Sequence, residues 1–237
     1  MSEWKARRFW TRAEAVEDEA GYAISLDARP VRTPAKTLLV VPTRAMADAI
    51  AAEWDAQQER IDPMTMPVTR SANATLDKVV TQFDEVADMI AGYGDTDLLC
   101  YRAHSPVELI ARQDAAWNPM LDWAESALDA RLHPVVGVMH APQCADALAR
   151  LRAQVHGLDP FSLTALHDLV SLSGSLVLGL AALRDAFDIE TLWSLSRVDE
   201  TWQQDLWGKD DEAQAQAEMK RAAFLHAKRF HDLSKTA

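Results

Sequence analysis

Cysteine is nearly missing from this sequence: Cys100 and Cys144 are the only two among 237 residues, and they form no CxxC pair. Two thiols are too few for a disulfide framework, so the expectation is a reducing compartment with both side chains buried. Long apolar runs are missing too. The longest uncharged stretch, Leu169 to Leu183, is about five residues short of the roughly 20 that cross a bilayer, and it directly follows His167 and Asp168. It reads as one buried helix rather than a membrane span. Its small residues Ser171, Ser173, Gly174, Ser175 and Gly179 leave room for a neighbouring helix to come close, at some cost in helix propensity. The start, MSEWKARRFW, has basic residues with no apolar run behind them and soon meets Glu14, Glu17, Asp18 and Glu19, which fits neither a signal nor a transit peptide.

Basic charge is in deficit: 24 Lys and Arg stand against 36 Asp and Glu, a net charge of −12. Such a balance repels phosphate backbones and anionic lipid and argues against nucleic acid as a partner. No two of the seven histidines stand four apart around a glutamate, so no helical zinc site, and no metal, is expected. The loops GxGxxG, GxSxG and GxxxxGK followed by Ser or Thr are all missing, which removes the dinucleotide, serine-hydrolase and nucleoside-triphosphate readings. Cys100 lies in the apolar run LLCY, where burial raises a thiol's pKa and makes it inert. Acids adjoin at Asp95 and Asp97, Asp199 and Glu200, and Asp210 to Glu212, but adjacent acids do not face each other and helix starts favour them.

With 49% hydrophobic and 25% charged residues, the chain has material for a real core. From Arg7 to Val41 the pattern is strand-like (RRFWT, YAISL, VRT, TLLVV), broken at Asp27–Pro30 and Pro34–Lys36, and predicts three or four antiparallel strands. Thr43 then caps an alanine-rich helix with Met46, Ile50 and Trp54 four apart, which sets an expected domain boundary between 42 and 43. Residues 43–237 read as a helical bundle. In it, Leu76, Val79, Val80, Phe83, Val86 and Ile90 keep one helical period up to Gly92 and Gly94. Ser105, Pro106 and Glu108 supply the start of a helix toward Trp117, with a kink or restart at Pro119. Leu132 to Met139 is a short extended piece, Ala145 to Val155 a helix, Asp159 and Pro160 the start of another, and Asp210 caps a last one through Phe230.

The most distinctive stretch is DIETLWSLSRVDETWQQDLWGKDDEA at 188–213. Asp188 can cap and Gly208 can stop a helix in which Leu192, Leu195, Val198, Trp202 and Leu206 recur at three and four and form the inward side. That leaves Trp193, Arg197, Glu200, Gln203 and Gln204 on the outer surface. Such a face is either an ordinary solvated one or a docking helix, since Trp and Arg are favoured at interfaces. The eight tryptophans are Trp4, Trp10, Trp54, Trp117, Trp123, Trp193, Trp202 and Trp207. Most belong to the core; one or two are left to line a groove. Met64 and Met66, between prolines, offer an adaptable apolar surface.

Six pieces together resemble the assembly chaperones specific for the α subunit of F(1)-ATPase, found in mitochondria and related bacteria. They are RPVRTPAKTLLVVPT at 29–43, AIAAEWDAQ at 49–57, MPVTR with Ala72 and Asn73, TDLLCYRA at 96–103, the RQ, Trp, Pro and LDW of 112–123, and VDETWQQDLWGKDDEA at 198–213. Ser71 and Val198 stand where the family more often has leucine. The resemblance implies an α+β fold, with a small antiparallel β-rich domain (1–42) before a larger all-helical one (43–237). It implies a non-catalytic role: holding the free α subunit, as a monomer without cofactor or metal, until the β subunit joins. The setting would be the bacterial cytoplasm, or the mitochondrial matrix for eukaryotic relatives. The family's important acid maps to Glu200, with Asp199 as the neighbouring candidate; Trp193, Gln203 and Trp207 of the same stretch are further candidate partner-binding residues. Trp54, Trp202 and Asp97 are assigned structural roles. An uncharacterised small-molecule enzyme is the competing reading; it would need a deep pocket gathering titratable groups.

Overall fold

A computed structural model describes residues 7–236, so Trp4 lies outside the described residues. The fold is α+β, with short strands first and helices after. The chain divides into two compact units, Met1–Phe83 with Pro160–Ala165 and Arg229–Ala237, and Asp84–Asp159 with Leu166–Lys228. The change of composition at 42/43 is therefore a change of secondary structure within the first unit, where the helix after it packs on the strands before it.

In the first unit β1 (Ala13–Asp18) and β2 (Gly21–Leu26) form a hairpin with Ala13 opposite Leu26 and Asp18 opposite Gly21. Gly21 has φ +143°, and a Cβ there would lie 2.4 Å from the Val41 carbonyl oxygen, so this turn requires glycine. β3 (Arg29–Pro30) and β4 (Val40–Val41) both pair with β2. RRFWT is not a strand. Arg7 makes only an isolated bridge to Arg60, and the Arg8 guanidinium donates to the Asp55 and Gln57 carbonyls instead.

α1 (Arg44–Asp55) starts where Thr43 accepts from the Met46 amide at 3.1 Å, and it buries Met46, Ala47, Ile50 and Ala51 on one face. Trp54 packs edge-on against Trp10 with ring centroids 5.2 Å apart. The Glu53 carboxylate accepts from the Val68 and Thr69 amides and the Thr69 hydroxyl, satisfying the first free donors of α2 (Pro67–Ala74). Met66 is buried while Met64 is exposed, so only one of the two offers surface. The expected single helix over 76–90 is broken. A π-helical turn at Thr75–Val79 separates α2 from α3 (Phe83–Ala91), and the phase shift leaves Val80 exposed.

The second unit is mostly, not wholly, helical: β5 (Tyr101–Arg102) pairs in parallel with β6 (Val135–Val136). α4 (Val107–Leu128) begins after Pro106 with no side-chain cap, so Ser105 does not cap it. It also continues through Pro119, because that residue faces solvent, where water can satisfy the carbonyl that proline leaves free. α5 (Ala145–His156) follows Cys144, which is exposed rather than buried. The apolar stretch 169–183 is two helices rather than one. α6 (Pro160–Ser173) ends at Gly174, φ +75°, and Ser175 caps α7 (Leu176–Leu183). A Cβ on Gly179 would come within 2.7 Å of Val170 and 2.9 Å of Leu166, so the small residue permits the close α6–α7 approach. Among the described residues no helix is long and apolar enough to cross a membrane. α8 (Ile189–Leu195), α9 (Val198–Trp207) and α10 (Asp211–Lys235) complete the chain.

Candidate functional site

Asp188 caps α8 by accepting from the Thr191 amide at 3.0 Å, and Gly208 ends α9 at φ +89°. Between them the expected single helix is two. The backbone leaves helical geometry at Arg197 (φ −118°, ψ 18°), so positions before and after the break do not share one inward stripe. The break corrects two placements. Trp193 is not on the outer surface: it is 7% exposed and packs on Phe224 of α10, centroids 5.5 Å apart. Leu206 is not inward: it is 56% exposed, next to Trp207 at 78%. Trp202 is half-buried and Gln203 exposed.

α9 is fastened to α4. Gln113, 2% exposed, uses both ends of its amide: the oxygen accepts from the Ala103 amide at 2.8 Å, and the nitrogen donates to Asp199 at 2.7 Å. Gln113's neighbour Arg112 pairs with Asp205, six residues beyond Asp199, at 2.7 Å. Trp117 is fully buried in α4, and its indole N–H donates to the Leu195 carbonyl at the end of α8, at 2.8 Å. Glu200 has a different partner. It meets Arg197, three residues back, at 2.7 Å with its side chain 45% exposed. Arg197 in turn lies 5.8 Å from the centre of the Trp193 ring. Of the three acids Asp199, Glu200 and Asp205, two are therefore held by another helix and only Glu200 by a neighbour in sequence.

The support beneath this face is unusually polar for its burial. Arg102 ends β5 nearly fully buried, pairs with Asp114 at 2.9 Å, donates to the Leu99 carbonyl at 2.9 Å and lies 5.3 Å from the Trp117 ring centre. Its Nη2 is buried without a partner, and burial lowers its pKa. Asp97 is also fully buried and accepts from the Leu99 and Val177 amides, tying the 99–100 turn to the start of α7. Desolvation raises its pKa to about 6 against those donors. Burial also pushes the Cys100 thiol up to about 12, as an inert core cysteine requires. Among the described residues no three His, Cys, Asp or Glu side chains gather as a metal site would need.

Arg112 and Gln113 as partners of α9, and the exposure of Leu206, are not evident from the sequence. The only signal for Arg112 and Gln113 is the RQ at 112–113 beside Trp117, which carries no periodic pattern.

Comparisons with known proteins bear on what this face serves. A family model described as ATP12 chaperone protein matches residues 7–125. Protein atp12, mitochondrial, of Schizosaccharomyces pombe is 24% identical over 221 residues, covering 87% of this chain and 75% of that protein. Atp12 from Paracoccus denitrificans superposes with a TM-score of 0.95 at 52% identity, covering 98% of this chain and all 100% of that one. The Agrobacterium tumefaciens protein Atu1473 gives a TM-score of 0.91 at 38% identity, over 95% of this chain and 85% of that one.

Proposed function

We propose, for a chain that belongs to the ATP12 chaperone family and so serves ATP synthase assembly, that its client is the free α subunit of F(1)-ATPase. It covers the surface through which α meets β until assembly, acting as a monomer and without turning over a small molecule. The bacterial cytoplasm, or the mitochondrial matrix in eukaryotic relatives, is where such a client emerges. An α subunit without neighbours exposes a large apolar interface that drives aggregation. The observation that carries this reading is the outer face of α9, where Trp207, 78% exposed, follows Gln203 and the half-exposed Glu200 along one helix. Large aromatic side chains left in water beside a few polar groups are characteristic of interface anchors.

Glu200 offers the polar anchor. Its pair with Arg197 lies at the surface, and such pairs contribute about 0–1 kcal/mol, so a basic group on the client can take Arg197's place at little cost. Once desolvated in the complex, truncating one partner costs roughly 2 to 5 kcal/mol. Glu200→Ala is therefore expected to weaken capture of purified α by about 30-fold or more while leaving the melting curve unchanged. The assay is light scattering of α diluted from denaturant, with and without the chaperone, together with titration calorimetry. Unchanged capture by the variant would refute the role of Glu200. Failure of the wild-type protein to keep α dispersed, or equal rescue of an unrelated aggregating protein, would refute the client.

A further inference from the structure

The first half of α10 buries nothing. From Asp211 to Lys220 every described residue is exposed except Ala217, which is partly covered, and Met219 is 66% exposed. The helix first meets its own unit at Arg221, which pairs with Glu190 of α8, and at Phe224, which packs on Trp193. Ten residues of helix span about 15 Å, and an alanine-rich segment of that length is marginal in water unless something packs on it. Just before it, across Gly208 to Asp210, come Leu206 and Trp207, both exposed. Asp210 accepts from the Glu212 and Ala213 amides, so the start of α10 is capped and the helix is specified up to its exposed end.

Charge is concentrated in the same segment. Residues 199–220 hold the acids Asp199, Glu200, Asp205, Asp210, Asp211, Glu212 and Glu218 against Lys209 and Lys220, a net −5 of the chain's −12. A surface that needs only solubility does not need Leu206, Trp207 and Met219 among those acids.

We propose that Gln203–Lys220 is a gripping arm, the end of α9 and the unpacked half of α10 acting together. Its occupant is a surface of the client in which basic side chains surround an apolar recess. Trp207, Leu206 and Met219 enter the recess, and Asp210 to Glu212 and Glu218 meet the basic rim. The complementarity is of sign as well as of polarity: an arm this acidic repels an acidic or phosphate-bearing partner and steers a basic one. The inference rests on the α-subunit reading above and adds the α10 half, which that reading does not use.

The test uses the full chain and purified α subunit. Hydrogen exchange followed by mass spectrometry is expected to show the amides of 212–220 exchanging fast in the free protein and slowing at least tenfold in the complex. Met219→Ser is expected to weaken binding about tenfold. The pair Asp211→Asn with Glu212→Gln is expected to weaken it severalfold and to flatten its dependence on salt. Melting temperatures should stay put, since these side chains bury nothing. Wild-type binding with variants that bind equally well, or protection confined to other segments, overturns the arm alone. No binding by the wild type sinks both this inference and the client it rests on. A concentration-dependent dimer that Met219→Ser abolishes, with capture of α unchanged, assigns the arm to a second copy and overturns the proposal.

Discussion

Replacing Gln113 tests how α9 is held. The side chain is 2% exposed and bridges the Ala103 amide and the Asp199 carboxylate. Gln113→Leu keeps the volume near constant and adds apolar character, so packing by itself predicts a small effect. The polar balance predicts a large one. The Ala103 amide loses its acceptor, at about 1–3 kcal/mol for a donor left unsatisfied, and the bond to the charged Asp199 takes a further 1 kcal/mol or so. The sum is a loss of about 2–4 kcal/mol, read as a lower midpoint in urea with an unchanged slope. Gln113→Glu sharpens the test, because it sets a second carboxylate against Asp199. That variant is expected to be less stable than wild type at neutral pH and to recover as the pH falls and one of the pair takes up a proton. Adding Asp199→Asn supplies a donor amide opposite the new carboxylate and should restore part of the loss. A Gln113→Leu protein within 0.5 kcal/mol of wild type, or no rescue in the double variant, would refute the bridge as a fastening of α9.

Asp97 gives a pH signature. Its pKa rises from 3.8 to about 6 on folding, so the fold favours the neutral carboxyl. The stability this contributes is complete below about pH 4 and lost as the pH climbs through 6, a change of about 3 kcal/mol. Wild type should lose that much relative to Asp97→Asn over this range; parallel curves would refute the desolvation account. Native protein should react with a thiol reagent at Cys144 alone, since Cys100 is buried and held near pKa 12, with a second equivalent appearing only after unfolding. Gly21→Ala combines a left-handed φ with a Cβ 2.4 Å from the Val41 carbonyl oxygen. It should cost at least ~2 kcal/mol, seen as a lower melting temperature by circular dichroism.

Much of the fold is written locally. Thr43 and Asp188 cap the helices the sequence assigns them, Gly208 ends one, and Met46 and Ile50 face inward in the predicted phase. These features depend on a few neighbouring residues, which a linear reading contains. The errors fall where a helix breaks with no proline or glycine to announce it. The π-helical turn at Thr75–Val79 and the break at Arg197 are of this kind, and tertiary packing decides them. Gly174 did carry a signal, but within an apolar stretch it read as a packing residue rather than a stop. The same limit misplaced Trp193: carrying one period through Arg197 put on the surface a side chain that Phe224 covers from α10.

The acids of α9 show what spacing cannot reveal. Read along the chain, Asp199, Glu200 and Asp205 are equivalent exposed carboxylates. Their partners make them different, and two of those partners lie 86 and 93 residues away. To draw Asp199 toward a client, α9 must release the buried amide of Gln113, so the new contact is opposed by the loss of one that holds the helix, whereas the Arg112–Asp205 pair lies at the surface and resists little. Glu200 gives up only Arg197, a neighbour on its own helix whose guanidinium can remain over the Trp193 ring. A cation arriving at this face therefore meets less resistance at Glu200 than at Asp199. As the proposed anchor, Glu200 is favoured over Asp199 because α4 holds Asp199 through the buried Gln113 amide.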